Sequence, residues 1–138
     1  MERAPTSNVE SWITYPRPNP EASLRLFCFP YAGGGTTIFR AWPQGMPDDV
    51  EVAPVQLPGR EGRLREPSFT QINPLVRALA DALRPHLDRE FAFFGHSMGA
   101  IISFELAREL RRRRGPAPAH LFVSGRAAPQ IPVEGPLT

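Results

Sequence analysis

Phe91-Ala92-Phe93-Phe94-Gly95-His96-Ser97-Met98-Gly99-Ala100 decides how this chain folds, because a short apolar run enters Gly-x-Ser-x-Gly and continues into a helical pattern. A serine in that setting sits on a sharp strand-to-helix turn with a strained backbone. A glycine on each side, Gly95 and Gly99, lets neighbouring backbone approach without a Cβ clash. The turn lifts the Ser97 hydroxyl above the end of the sheet and aims the first N–H groups of the new helix at the same point, where an oxyanion can form. Gly-x-Ser-x-Gly alone is common. Its placement between a buried strand and an amphipathic helix makes this a nucleophile elbow with Ser97 as the expected nucleophile.

Outward from the elbow, the unbroken apolar run Phe91 to Phe94 reads as a parallel strand buried on both faces. Gly99 to about Arg113 reads as a helix, with Ile102, Leu106 and Leu110 at every fourth position and Glu109 placed to pair with Arg112 or Arg113. Arg111 to Arg114 form a solvated last turn that complements the helix dipole, and Gly115-Pro116 ends it. Ala119 to Ser124 is one more strand, followed by a loop-like tail with Pro129, Pro132 and Pro136. Upstream, Asn73-Pro74 reads as an N-cap and first helical residue, after which Leu75, Val76, Leu79, Leu83 and Leu87 share one face. Glu51 to Leu57 is a strand broken by Pro54, and Leu24 to Phe29 is the first strand of the domain. The latter runs into Pro30-Tyr31-Ala32-Gly33-Gly34-Gly35, after which Thr36 can cap a short helix to about Trp42. Residues 1–23 are polar and spotted with Pro16, Pro18 and Pro20, an extended lead-in with one edge strand at Trp12 to Tyr15. Strands alternating with helices specify an α/β fold, a doubly wound parallel sheet with helices on both faces.

Composition narrows the function. With 41% hydrophobic and 22% charged residues the chain has the balance of a soluble globular domain. No run approaches the ~20 apolar residues of a membrane span and the amino-terminal stretch lacks a signal core, so a cytoplasmic protein without membrane attachment is expected. All 16 basic residues are arginine and the formal charge is only +2, which argues against nucleic acid as the main partner. The single cysteine, Cys28, lies in an apolar strand and forms no internal disulfide. The triple glycine lacks the Gly-Lys-Ser/Thr of a phosphate loop, and neither a cofactor nor a metal is expected.

The two glycine-rich segments follow different strands of one sheet, so both emerge at its carboxyl edge. The N–H of Met98 is the first expected oxyanion donor and that of Ala32 the second. A serine triad on this scaffold continues with an acid and then a histidine from later strands. Only His120 follows Ser97, it precedes Glu134, and it stands at the start of a strand. His96 is joined directly to Ser97 with its ring pointing away from the hydroxyl, and His86 reads as an exposed helix-end residue. The catalytic base is therefore expected to be missing from these 138 residues.

Phe29-Pro30-Tyr31-Ala32-Gly33-Gly34, Leu57-Pro58-Gly59-Arg60 with Glu66-Pro67, Phe94-Gly95-His96-Ser97-Met98-Gly99-Ala100 and Ser124-Gly125-Arg126 together resemble type II thioesterases. These are stand-alone α/β-hydrolases that accompany polyketide synthases and non-ribosomal peptide synthetases. The resemblance runs from about Leu24 to Pro132 and matches the amino-terminal half of the family. It implies a thioester hydrolase of antibiotic biosynthesis that releases acyl or aminoacyl groups from the phosphopantetheine of acyl or peptidyl carrier proteins. Ser97 is then the nucleophile, Ala32 and Met98 form the oxyanion hole, and the phosphopantetheine belongs to the substrate. The family's lid helices, acidic triad residue and histidine have no counterpart up to Thr138. Residues 24–138 are thus expected to be a truncated domain, inactive as it stands; the alternative is a non-catalytic fragment that binds carrier protein or acyl chains. An acyltransferase is disfavoured by the Ala32-Gly33-Gly34 loop and by Ala100, where such enzymes usually have Glu. Arg60, Arg63 and Arg65 are either a solvated loop paired with Glu61 and Glu66 or a docking surface for an acidic carrier protein.

Overall fold

Apolar side chains fill both faces of the central strands, as parallel strands covered on two sides require. The computed structural model describes residues 12–30, 36–57 and 71–125. Among these, four strands form one sheet: β1 (Leu24–Phe29), β2 (Val50–Pro54), β3 (Glu90–His96) and β4 (His120–Ser124), in the order β2-β1-β3-β4. Every pairing is parallel, and Phe29 stands opposite Gly95 and Ser124 opposite His96. Two helices, α1 (Ile72–Leu83) and α2 (Met98–Arg112), connect β2 to β3 and β3 to β4.

Alternation along the strands divides the core into two. Phe27, Phe29, Phe91 and Phe93 point to the face covered by α1 and α2, where they meet Leu79, Leu83, Ile102 and Leu106. Their rings pack edge-on, Phe29 against Phe93 at 5.2 Å and 80°, the geometry that the ring quadrupoles favour. Leu26, Cys28, Val52, Ala92 and Phe94 point the other way, under Phe39 and Trp42. That second face is covered by two 3-10 turns, Thr36–Phe39 and Trp42–Gly45, instead of the one short helix expected from Thr36 to about Trp42. Pro43 lies within the second turn, and a residue before proline is disfavoured in the helical region.

The other departures have local causes. α1 starts at Ile72 with Gln71 as its cap, not at Pro74, because proline fits anywhere in a first turn whose N–H groups lack helical partners. It stops at Leu83 because Pro85 has no N–H to continue it. Leu87 then packs on the core from beyond a 3-10 turn, Arg84–His86. The expected Trp12–Tyr15 strand is a single antiparallel bridge, Ile13 with Val55. Among the described residues no helix is long and apolar enough to cross a membrane.

At the amino-terminal end of the sheet a polar clasp holds the lead-in. Arg25 and Glu51, register partners on β1 and β2, form a buried pair at 2.9 Å. Arg25 also donates to Asp88 at 3.0 Å and to the His86 carbonyl at 2.7 Å, and its guanidinium lies 5.2 Å from the Tyr15 ring centre. The Tyr15 hydroxyl and His86 Nδ1 are 2.5 Å apart. His86 is thus half-buried and paired, not an exposed helix end. Burial and then the nearby Arg25 hold its pKa below the ordinary 6.5, while burial pushes the Tyr15 phenol up to about 12.

Candidate active site

The sheet order itself creates a crevice. From β1 the chain moves outward to β2, from β2 it returns past β1 to β3, and from β3 it continues to β4. Loops leaving the adjacent strands β1 and β3 therefore part to opposite faces, and the space between their carboxyl ends is where ligands bind in open α/β sheets. Ser97 is the residue immediately after β3 at that point.

Ser97 is one of two described non-glycine residues with a positive φ, the other being Arg114. Ser97 has φ 57° and ψ −118°, outside the regions an L-residue occupies without strain. Such conformations cost about 1–3 kcal/mol and persist only where the surroundings fix them. Here a Cβ on Gly95 would come within 2.1 Å of the Gly99 carbonyl oxygen, and a Cβ on Gly99 within 2.1 Å of the Phe29 carbonyl oxygen. Both flanking glycines are thus sites of close backbone approach. The Ser97 N–H donates to the Ser124 carbonyl at 2.8 Å, and the Ser97 carbonyl accepts from the Ala100 N–H at 2.9 Å.

A serine at a helix N-cap ordinarily accepts a bond from the helix's own N–H groups. Ser97 holds that position on α2 and makes no such capping bond. Its hydroxyl is therefore not consumed by the helix, while Met98, the first residue of α2, stands at the positive end of the helix dipole. The chain leaves β1 at the same place. A Cβ on Gly99 would approach the Pro30 carbonyl oxygen to 2.8 Å, so Pro30 lies beside the elbow. Ala32 follows two residues later and lies outside the described residues, as do Arg60, Arg63 and Arg65.

Other nucleophile and base candidates are placed elsewhere. Cys28 is fully buried in β1 and its thiol is pushed far up by burial, which leaves no thiolate to compete with Ser97. His86 belongs to the clasp at the opposite end of the sheet. His120 stands opposite Ala92, five residues before Ser97, and its ring stacks on Phe122 at 5.7 Å. His96 turns Nδ1 to the Ser124 hydroxyl at 3.2 Å. The sequence motif Ser124-Gly125 carries no signal for this last contact, which arises from the pairing of His96 with Ser124 across β3 and β4. No group of His, Cys, Asp and Glu suited to a metal occurs among the described residues.

Comparisons with known proteins place the fold in a family. The family model named Thioesterase domain matches residues 24–136. Linear gramicidin dehydrogenase LgrE of Brevibacillus parabrevis is 52% identical over 124 residues, covering 90% of this chain and 47% of that protein. The structure of the RedJ thioesterase from the prodiginine pathway of Streptomyces coelicolor superposes with a TM-score of 0.77 at 55% identity, over 80% of this chain and 41% of RedJ. The type II thioesterase BorB from the borrelidin cluster gives a TM-score of 0.80 at 34% identity, over 96% of this chain and 53% of BorB. The chain spans about half the length of the curated relatives it matches. With the family model running from β1 past the elbow and β4, and a solved type II thioesterase sharing the same fold, this chain belongs to the thioesterase family.

Proposed function

We propose that these residues form the nucleophile-bearing part of a serine thioesterase that releases acyl or aminoacyl groups from carrier-protein phosphopantetheine in polyketide or non-ribosomal peptide biosynthesis. The observation that carries the reading is Ser97, strained at the switch point with its hydroxyl outside the helix cap. Ser97 Oγ attacks the thioester carbonyl, and the carbonyl oxygen takes up negative charge in front of the Met98 and Ala32 N–H groups. The C–S bond then breaks, the pantetheine sulfur leaves as a thiol with the proton from Ser97, and the acyl group remains as a serine ester. Water hydrolyses that ester to the free acid and restores Ser97. The phosphopantetheine arm arrives with the substrate, so the reading needs neither cofactor nor metal. Arg60, Arg63 and Arg65 are the proposed contacts to the acidic carrier, acting through electrostatic steering. RedJ and BorB, which share the fold, come from the prodiginine biosynthetic pathway and the borrelidin biosynthetic cluster.

The dehydrogenase in the name of LgrE does not transfer. A nicotinamide-binding turn needs G-x-G-x-x-G, and neither Gly33-Gly34-Gly35-Thr36-Thr37-Ile38 nor Gly95-His96-Ser97-Met98-Gly99-Ala100 has it.

For the 138 residues by themselves the placement of all three histidines favours a second, weaker reading, a fragment that accepts or binds an acyl group without turning over. General acid–base assistance worth ~10²–10⁴ is then absent. Both readings are tested by incubating the chain and Ser97→Ala with an acyl-pantetheine thioester and following protein mass and free acid. An acyl adduct on Ser97 that forms and empties slowly is expected. No adduct in the parent chain, or equal adducts in both, overturns the serine reading. Sustained turnover near ~1–10³ s⁻¹ overturns the absence of a base.

A further inference from the structure

Beyond the two glycines of the elbow, a third element grips it, and it comes from the tip of β4. The Ser124 carbonyl accepts the Ser97 N–H at 2.8 Å, and the Ser124 hydroxyl faces His96 Nδ1 at 3.2 Å. Gly125 follows with φ +70°, and a Cβ there would lie 2.5 Å from His96 Cε1 and 2.9 Å from Nδ1. Ser124 and Gly125 thus seat the ring of the residue before the nucleophile and, one peptide further, the nucleophile's own N–H. β4 is an edge strand among the described residues, paired to β3 from His120 to Ser124, with Phe122 and Val123 exposed. Its tip is therefore fixed largely by what it fixes in return.

We propose that Ser124-Gly125 is a positioning device for Ser97, with the His96 ring as the intermediary and Gly125 kept small so that the ring can sit against it. The proposal rests on the reading of Ser97 as the nucleophile and adds residues that do not touch the substrate. An ordinary carbon contact is about 3.5–4.0 Å. A methyl group at Gly125 therefore drives the ring away by roughly 1 Å, and His96 is bonded directly to Ser97. A displacement of that size at a reacting group lowers its rate about 100-fold.

The test uses a fluorophosphonate, whose phosphorus is attacked by a reactive serine with loss of fluoride and without needing turnover, on the parent chain, Gly125→Ala, His96→Ala and the double variant. Denaturation curves check that each is folded, and NMR of the His96 ring reports its seating. In Gly125→Ala the labelling rate is expected to fall about 10- to 100-fold and the His96 signals to move. Removing the ring should relieve the clash and leave only the cost of a Cβ at φ +70°, so that Gly125→Ala slows labelling clearly less when His96 is already alanine than in the parent chain. If Gly125→Ala does not fold, the Ser124 pair decides. Ser124→Ala should slow labelling about 2- to 10-fold and shift the His96 signals, and Ser124→Thr, which keeps the hydroxyl, should restore both. Folded Gly125→Ala labelling at the parental rate, a loss unchanged by His96→Ala, or a Ser124→Ala indistinguishable from the parent overturns the positioning role. A parent chain that does not label at all overturns the nucleophile reading itself, and the positioning role with it.

Discussion

At Ser97 the backbone is held at φ 57° and ψ −118° by contacts that a hydroxyl does nothing to create. The strain belongs to the backbone and its Cβ, the reactivity to Oγ, so substitution can separate them. Ser97→Gly should remove the Cβ penalty of about 1–3 kcal/mol while adding about 0.4–1 kcal/mol of unfolded-chain entropy. The glycine variant is therefore expected to be about 1 kcal/mol more stable than Ser97→Ala, read from urea midpoints of the two, although both lack the hydroxyl. A glycine variant no more stable than the alanine one contradicts a strained elbow. This residue was legible in the sequence because the motif is a steric specification: Gly95 and Gly99 are required where carbonyl oxygens come within 2.1 Å of a Cβ position. The seat of His96 on Ser124 and Gly125 was not, since it depends on register between two strands 28 positions apart.

Among the elements, strands were easier to read than the ends of helices. Apolar runs placed β1 and β3 to within a residue or two, because burial on both faces leaves no other pattern. Helix ends depend on which backbone groups find partners. α2 closes with Gly115 N–H on the Leu110 carbonyl and Arg114 N–H on the Arg111 carbonyl, a Schellman pattern in which Arg114, at φ 58°, takes the left-handed position expected of Gly115. The arginine run is only partly solvated, since Arg113 pairs with Glu109 and reaches Asp81 on α1 at 2.8 Å. Arg25 and Glu51 are charges in two apolar runs, and only the strand register makes them partners. The clasp they build with Tyr15 and His86 gives stability a pH dependence. His86 titrates below its ordinary 6.5 when folded. Between the two values the unfolded chain binds more protons, so this contribution is complete above the unfolded pKa and is lost as pH falls below it. Unfolding midpoints should therefore drop between pH 7.5 and 5.5, and His86→Gln should flatten the drop. An equally steep drop in His86→Gln would place the titrating group elsewhere.

For the molecule as a whole, the doubly wound order sets β1 and β3 side by side and sends their loops to opposite faces, which is what turns a sequence motif into a site. The alternation of strands and helices was enough to specify a parallel sheet; its order was not, because it depends on which strands pair across the chain. The chain covers about half the length of its curated relatives, and its functional reading rests on Ser97 as the proposed nucleophile. That nucleophile can be examined without any partner or substrate. The parent chain and Ser97→Ala are treated with a fluorophosphonate, weighed intact and mapped by peptide mass. One adduct on the parent chain, located at Ser97, and none on Ser97→Ala is the predicted result; equal labelling of both proteins, or an adduct mapped to another residue, would contradict it.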